Sequence, residues 1–365
     1  IFKAIWENTK VKYNRDASTS YYDCTNYYFE IEYDDEDTKN ENGEIIKKGI
    51  RKRGPEKNHR PDPIVEMGLL IDKQGFPISY NLFPGNTSEK ETLIPEIHNI
   101  KRRHNIDKVI VVADRGLNCS DNMYKLSGLD LDKENRDGYV YGQSVRGADS
   151  EFKEWILKDD YKIDKITDED GNEIIFKHKS RIYAKKMYVT RDDKDLTKSG
   201  NVKKQTIIVD QKQMVYYSQK YADKQKRDRQ MVIEKAKDLI KNPSAYTRAT
   251  SYGAAGYINN IKFDKETGVV SDGCKLSLNE EKIKEDEKFD GYYSIVTSEE
   301  NLSDLELRNI YKGLSKIEET FKITKSEFNA RPINVRLEDH IDAHFLICFI
   351  SLVIIRLLQY DINNK

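Results

Sequence analysis

Two aspartates occupy positions in or next to predicted strands where a charged side chain is unusual. Asp114 ends the apolar run VIVVADRGL (109–117), and Asp23 lies inside the aromatic stretch SYYDCTNYYFEIE (20–32). Asp is disfavoured in the middle of a strand. At the end of a strand it either caps a local turn or faces a metal site, because hard divalent cations prefer oxygen ligands. The two positions therefore carry two open interpretations, a structural cap and a metal centre.

A third carboxylate, Glu318, lies in IYKGLSKIEETFKITKS (310–326). On a single helix with about 100° per residue, Tyr311, Glu318 and Lys325 form one stripe, with Lys322 beside them. A second, apolar stripe predicts the buried face, formed by Ile310, Leu314, Ile317, Phe321 and Phe328. A solvated helix face with weak ion pairs explains the polar stripe equally well.

These residues need a scaffold, and the order of the predicted elements supplies one. After the first strand, IVEMGLLI and FPISYNLF predict a hairpin around the turn at 72–75. Ser88 and Glu91 predict a capping box that opens a helix to about His104. KVIVVAD predicts a strand covered on both faces, followed by a short helix and a fifth strand at 137–144. This order predicts a mixed sheet with helices on it, in which strands one and four can lie side by side.

The chain changes character between 147 and 289, which is rich in Lys, Asp and Glu. We predict hairpin turns at 168–171 and 264–268 and one strongly charged helix at about 219–242. The core-like pattern returns with FDGYYSIVTS (289–298) and continues in helices. The predicted division is a core in two parts, 1–146 and 290–365, separated by an insertion at 147–289.

Composition sets limits on the class of protein. Lys+Arg 62 against Asp+Glu 63 leaves a net charge of −1, so the overall charge neither favours nor excludes nucleic acid. The four cysteines form no CxxC pair, which excludes a zinc ribbon and suits a reducing compartment. The chain starts IFKAIW, so we expect a fragment without its own beginning. HFLICFISLVIIRLLQY, broken by Arg356, predicts a buried closing helix and not a bilayer span.

Taken together, these segments resemble a DDE transposase of bacterial insertion sequences, in the branch with a Tyr-Arg-Glu-Lys signature. YYDCTNYYFE and VVADRGL resemble its first-Asp and second-Asp strands, and GFPISYNLFPGNTSEKETL resembles its hairpin and following helix. DGYYSIVTSE, the 310–326 segment and RPINVRLEDHIDAHFLICFISLVI resemble its C-terminal block. Tyr311, Glu318 and Lys325 match the signature in register.

The resemblance implies an RNase H-like α/β fold: a mixed five-stranded sheet flanked by helices, with a large, mainly β insertion before the last catalytic helix. It implies Asp23, Asp114 and Glu318 as ligands of two Mg²⁺ ions, with Mn²⁺ able to substitute, and Tyr311, Lys322 and Lys325 as DNA-phosphate contacts. The implied reaction is cleavage of transposon-end DNA and strand transfer into target DNA. The implied setting is a homodimer on double-stranded DNA in the bacterial cytoplasm, associated with the nucleoid and with no membrane.

Leu314 departs from the family, because it occupies the Arg position of the signature. Residues 156–289 also lack the Trp that relatives use to hold a flipped base, and the usual N-terminal DNA-binding region is not in this sequence. Three other functions stay open: an RNase H-like nuclease or resolvase, a decayed DNA-binding derivative, and a phosphatase with Asp114 as nucleophile.

Overall fold

The structure is a computed structural model that describes residues 1–55, 61–127, 136–167, 171–190, 196–197, 199–264, 267–271, 273 and 275–364. It divides into two compact units. Unit 1 comprises Ile1–Gln143, Arg181–Gln213 and Ile295–Lys365, and unit 2 comprises Ser144–Ser180 and Met214–Ser294. The predicted insertion differs from unit 2 in one main respect, since residues 181–213 belong to unit 1.

The chain forms strands throughout its length. They are β1 (Thr19–Tyr28), β2 (Thr38–Lys39), β3 (Ile45–Lys47), β4 (Ile64–Ile71), β5 (Pro77–Pro84), β6 (Ile110–Ala113), β7 (Gly138–Gln143), β8 (Lys162–Thr167), β9 (Glu173–Val189), β10 (Gln205–Tyr217), β11 (Ile258–Asn259), β12 (Ser277–Leu278) and β13 (Tyr292–Thr297).

The helices lie before, between and after these strands. They are α1 (Phe2–Thr9), α2 (Glu89–His104), α3 (Ser120–Ser127), α4 (Ser150–Leu157), α5 (Gln219–Lys241), α6 (Glu280–Glu287), α7 (Asp304–Lys312), α8 (Ser315–Lys322) and α9 (Glu338–Asn363). Two 3₁₀ turns (Pro243–Ala245 and Ala254–Tyr257) and a π-helical turn (Ile323–Glu327) complete them.

The five predicted core strands lie side by side in unit 1, in the order β5-β4-β1-β6-β7. The β4–β5 hairpin is antiparallel, and β1 runs antiparallel to β4, with Asp23 opposite Leu69. On its other side β1 is parallel to β6, and β6 is parallel to β7. The predicted neighbour relation of strands one and four is confirmed, and the order is that of an RNase H-like sheet. The sheet continues beyond the five predicted strands with β13, β10 and β9.

Alternation in β1 assigns its side chains to two layers. Tyr22 and Cys24 belong to a buried cluster with residues of α2 and α3, such as Leu93 and Met123. Successive side chains of a strand point to opposite faces, so Tyr21, Asp23 and Thr25 face the other layer. That layer contains α8 and α9, because α8 contacts β1 and α9 contacts β5. Asp23 therefore faces the helices of the C-terminal segment.

The N-terminus of α2 corrects one prediction. Ser88 precedes the helix, but its side chain makes no capping hydrogen bond, and the Glu91 amide donates to the Ser88 carbonyl instead. The capping-box prediction is therefore wrong. The predicted end is confirmed, because α2 ends at His104 and Asn105 adopts a left-handed conformation with φ 52°. An Asn there is favourable, since its short polar side chain tolerates this conformation.

The apolar C-terminal segment forms α9, which is only partly covered. Phe345 and Phe349 are buried, and Phe345 packs edge-on against Tyr27 with ring centroids 5.0 Å apart. Ile347 and Ile354 are 64% and 53% exposed. The prediction of a buried closing helix therefore holds for one face only. By length and composition this helix meets the requirements of a membrane span, which is weak evidence, because core helices of soluble proteins meet them too.

Unit 2 combines helices with strands, and the predicted insertion holds about as much helix as strand. The charged helix is confirmed as α5, and the Ser218 hydroxyl caps it by accepting from the Tyr221 amide. Its buried Arg229 pairs with Asp290 at 2.5 Å. Of the predicted turns, the one at 264–268 is present, with the Gly268 amide donating to the Asp264 carbonyl, although 265–266 lie outside the described residues. In the predicted turn at 168–171, residues 168–170 also lie outside them.

His104 gives unit 1 a pH-dependent stability. Its ring is 6% exposed, it lies 5.5 Å from the Trp6 ring, and neither ring nitrogen has a hydrogen-bond partner within the described part of the chain. Burial, with smaller contributions from the charges of Arg103 and Arg15, lowers the pKa of His104 to about 4. Glu7 acts in the opposite direction and Lys3 in the same one.

As the pH falls, His104 therefore becomes protonated in the unfolded chain, where its pKa is about 6.5, before it does so in the folded chain, where its pKa is about 4. The free energy of unfolding decreases between these two pH values. We expect the free energy of unfolding to drop by about 2 kcal/mol between pH 7 and pH 5 from this residue. Urea unfolding of wild type and His104→Phe at both pH values measures the effect. The Phe variant should lose about that much of the pH dependence; an equal pH dependence in both proteins would contradict the assignment.

Candidate active site

One cleft in unit 1 brings the three predicted carboxylates together. It has a volume of about 630 Å³ and is open to solvent. Asp23 reaches it from β1, Asp114 from the end of β6, and Glu318 from α8. The other lining residues are Cys24, Thr25, Glu89, Leu314, Ile317, Phe321, Lys322, Lys325, Ser326 and Arg331.

Asp114 combines the two interpretations of its position. It is exposed at the end of β6, and its Oδ1 accepts the amide of Gly116 at 2.6 Å, which closes a tight turn. An Asp side chain commonly bonds the backbone two residues on in this way. The same carboxylate lines the cleft. The turn therefore fixes the direction of Asp114 while the group faces the cleft.

Asp23 is held by the strand that carries it. Its Oδ1 accepts the amide of Cys24 at 2.8 Å, and the side chain is half-buried. Thr25, on the same face of β1, accepts a hydrogen bond from the Lys325 ammonium group. Burial raises the pKa of the Cys24 thiol, so it stays protonated beside the carboxylate. This face of β1 thus carries one carboxylate into the cleft and, through Thr25, binds a lysine that lines the cleft.

The segment that carries Glu318 is not the single helix predicted. Helix α7 ends at Lys312, α8 begins at Ser315, and a π-helical turn follows α8. Gly313 lies at the break, where a Cβ would collide with the Tyr21 hydroxyl. That hydroxyl donates to the Ile310 carbonyl at 3.1 Å, and burial raises the pKa of Tyr21 to about 12. Tyr21 therefore fixes the junction as a protonated donor.

Within α8 the two predicted stripes are recognisable. Ile317 and Phe321 are buried, whereas Glu318 and Lys322 are exposed. Leu314 is half-buried and lines the cleft, although it was predicted on the buried stripe. Burial of the apolar residues orients α8 so that its polar residues border the cleft.

The predicted phosphate contacts separate into two groups. Lys322 and Lys325 line the cleft, and the Lys325 ammonium also lies 5.7 Å from the centroid of the Phe321 ring. Tyr311 is not among the lining residues. Its hydroxyl packs against Gly142, where a Cβ would collide with it. The break between α7 and α8 explains this, because it removes the helical register that linked Tyr311 to Glu318.

Two charged residues that line the cleft were not predicted as site residues, Glu89 and Arg331. Glu89 is the first residue of α2. A Cβ built on Gly116 would lie 3.2 Å from Glu89 Oε2 and 3.0 Å from Asp114 Oδ1. The two carboxylates therefore lie near each other, beside Gly116. The acidic first turn of α2 is the only sequence signal for Glu89, and such residues usually serve the helix dipole.

The donor set of the cleft suits a hard divalent cation, because its acidic residues offer carboxylate oxygens and no soft ligand competes except the protonated Cys24. Within the described part of the chain, however, no three His, Cys, Asp or Glu side chains are close enough to form a ready-made metal site. The carboxylates share a cleft and are not gathered around one point. A metal ion would therefore have to draw them closer.

Comparison with known families gives one match. Residues 175–354 match the family model described as "Transposase DDE domain". The matched region begins in β9 and includes α8, so it contains Glu318 but neither Asp23 nor Asp114. No curated protein matches this chain.

Two solved structures are similar over a short region. They are "Mos1 transposase paired-end complex with left transposon end" and "Crystal structure of the Mos1 mariner paired end complex with Mn". Each is 16% identical with a TM-score of 0.17, over 32% of this chain and 36% or 37% of the Mos1 chain. This chain thus spans about a third of the length of those proteins, and so low a TM-score says nothing more about its structure.

Proposed function

We propose that this cleft cleaves transposon-end DNA and transfers the freed strand to target DNA, as the match of residues 175–354 to the family model "Transposase DDE domain" suggests. The observation that carries the proposal is the meeting of Asp23, Asp114 and Glu318 in one cleft, from three separate segments. Two lysines line the same cleft, so acidic and phosphate-binding groups are adjacent. A phosphodiester needs both kinds of group, the first to assist the displacement and the second to hold the strand.

The proposed reaction has two steps that balance without a covalent enzyme intermediate. Water attacks the phosphorus at the transposon end; a P–O bond to water forms, the P–O3′ bond breaks, and a free 3′-hydroxyl results. That hydroxyl then attacks a target phosphodiester, forming a new P–O3′ bond and releasing a target 3′-hydroxyl. Asp23, Asp114 and Glu318 would supply the carboxylate environment in both steps. Lys322 and Lys325 would hold the backbone phosphates as point charges.

DDE transposases use divalent metal ions, and we propose two Mg²⁺ ions here, with Mn²⁺ able to substitute. Asp23, Asp114 and Glu318 would hold them. When bound, such ions stabilise the charge on the attacking and leaving oxygens. We further propose, from the family resemblance, that two copies of the chain act together on double-stranded DNA in the bacterial cytoplasm. Tyr311 stays a predicted DNA contact.

The discriminating experiment incubates the chain with Mn²⁺, a supercoiled plasmid and a labelled oligonucleotide duplex that ends in a free 3′-hydroxyl. Nicked plasmid together with label joined to plasmid supports a transposase. Nicks alone favour a nuclease without strand transfer. Neither product, with DNA binding intact, favours a decayed DNA-binding derivative and contradicts the proposed function.

Lys325 gives a separate prediction. Because its ammonium group lies in the cleft and is oriented by Thr25, Lys325→Ala should weaken binding of duplex DNA about fivefold at low salt, equally for unrelated sequences. Electrophoretic mobility shifts with two unrelated 30-base-pair duplexes measure it. Lys39→Ala, an exposed lysine of β2 outside the cleft, is the matched control. Equal affinities of the two variants would remove Lys325 from the DNA contact.

A further inference from the structure

We propose that Arg331 binds a backbone phosphate of the DNA inside the cleft, with the planar fork of its guanidinium group. The inference rests on the proposed function, because it takes DNA as the ligand of the cleft. Among the residues that the structure describes, Arg331 is the only arginine that lines the cleft.

The backbone on both sides of Arg331 is held in place. The Ala330 amide donates to the Thr324 carbonyl at 3.2 Å, and the Ile333 amide donates to the Tyr28 carbonyl at 3.0 Å. The side chains of Ala330 and Ile333 are buried at 2% and 3% exposure. The segment after α8 is therefore tied to β1, the strand that carries Asp23. Arg331 enters the cleft from an anchored position and not from a loose loop.

The guanidinium group has uncommitted donors. It makes no hydrogen bond or ion pair with any residue in the described ranges, although it is half-buried. Two other arginines of unit 1 are engaged by their neighbours. Arg51 bonds Asp35 at 2.8 Å, and Arg356 contacts the carbonyls of Gly75 and Lys316. Arg331 thus has donors available to a ligand at the cleft. Arg103 Nη1 also lacks a hydrogen-bond partner within the described residues, but Arg103 does not line the cleft.

The chemistry of the cleft favours a phosphate as that ligand. Four carboxylates line it, Asp23, Glu89, Asp114 and Glu318, and they repel an approaching anion unless cations offset them. Lys325 already donates to Thr25, and Lys322 is exposed, where solvent screens its charge. A guanidinium group offers parallel donors that match two phosphate oxygens. Arg331 therefore combines partial burial, free donors and suitable geometry.

The position of Leu314 adds to this assignment. The family resemblance places an arginine at 314, and here that residue is apolar. Leu314 and Arg331 line the same cleft. The cleft thus has a leucine at position 314 and its arginine on the segment that follows α8.

The test measures binding of a fluorescent 30-base-pair duplex of mixed sequence by anisotropy, in EDTA, between 50 and 200 mM NaCl. Each phosphate contact adds about 0.9 to the slope of log K against log salt concentration. We expect Arg331→Gln to flatten the slope by about 0.9. Arg331→Lys should keep the slope, because charge sets it, but should bind more weakly at each salt concentration, because Lys lacks the two parallel donors. Arg336→Gln, an exposed arginine on the same segment outside the cleft, is the control. Thermal unfolding of each variant establishes that it is folded.

A slope that flattens in Arg331→Gln alone supports the inference. Equal slopes in Arg331→Gln and wild type overturn it, as does equal flattening in Arg336→Gln. An Arg331→Lys variant that binds as tightly as wild type contradicts the forked contact. The proposed function fails separately, when wild type binds the duplex with a normal salt dependence but neither nicks nor joins DNA in Mn²⁺. A wild type that does not bind duplex DNA overturns both.

Discussion

Asp114→Asn should reduce plasmid nicking in Mn²⁺ by more than about a thousandfold, since groups that act as a unit in catalysis show losses of this size or larger. The substitution is conservative for the fold. The Asn side-chain oxygen can accept the Gly116 amide as the Asp does, so the turn after β6 is kept. Only the negative charge in the cleft is lost. DNA binding should survive, because removing a carboxylate does not weaken the contacts of Lys322 and Lys325.

The matched control is Asp121→Asn. Asp121 accepts the Thr190 amide at 2.7 Å and does not line the cleft, so its variant should nick plasmid like wild type. The same experiment applies to Glu318. Glu318→Gln is compared with Glu319→Gln, its exposed neighbour outside the cleft. If Asp114→Asn or Glu318→Gln cut DNA at the wild-type rate, that residue would have no part in the reaction.

The second large effect concerns a buried ion pair beneath the β4–β5 hairpin. Arg15 Nε lies 2.6 Å from Asp72 Oδ2, and both side chains are 0% exposed. Asp72 Oδ1 also accepts the Phe76 amide at 2.8 Å, and Arg15 donates to the Pro77 carbonyl at 2.8 Å. Burial raises the pKa of Asp72 against the opposing charge of Arg15. The pair therefore fixes the turn of the hairpin at a high desolvation cost.

Asp72→Leu should lower the free energy of unfolding by about 3–5 kcal/mol, because it leaves a buried guanidinium group without its counter-charge. The double variant Arg15→Met/Asp72→Leu should recover much of that loss, since apolar replacement of both partners removes the desolvation cost. Urea unfolding followed by circular dichroism measures both. Glu7→Gln, which breaks the exposed pair with Lys10, should leave stability almost unchanged, because solvent screens an exposed ion pair. If Asp72→Leu were as stable as wild type, Arg15 would have to be solvated in the native state.

The parts of the fold that follow from local pattern were predictable from sequence. The buried run that ends in Asp114, the hairpin closed at 72–75 and the charged helix α5 all have periodicity or turn residues that stand out in one short window. The pairing of β1 with β6 required only the rule that a hairpin followed by a strand-helix alternation builds a mixed sheet. Two of the three carboxylates were located by this reasoning.

The features that were missed depend on contacts distant in sequence. A single glycine at 313 does not by itself interrupt a helical pattern, and the break is fixed by the ring of Tyr21, almost three hundred residues earlier. Arg331 carries no local signal, because its place in the cleft depends on backbone bonds to Thr324 and Tyr28. The capping box failed for a related reason. Two suitable residues at the correct spacing did not determine which groups satisfy the first amides of α2.

The carboxylates enter the cleft in an order that follows synthesis. β1 and β6 carry two of them within the first third of the chain, whereas α8 brings the last one only after unit 2 has been made. An unfinished polypeptide on the ribosome therefore holds only some of the carboxylates that line the cleft. On the proposed function, a nascent chain therefore cannot assemble the carboxylates of the cleft until residue 318 has been synthesised.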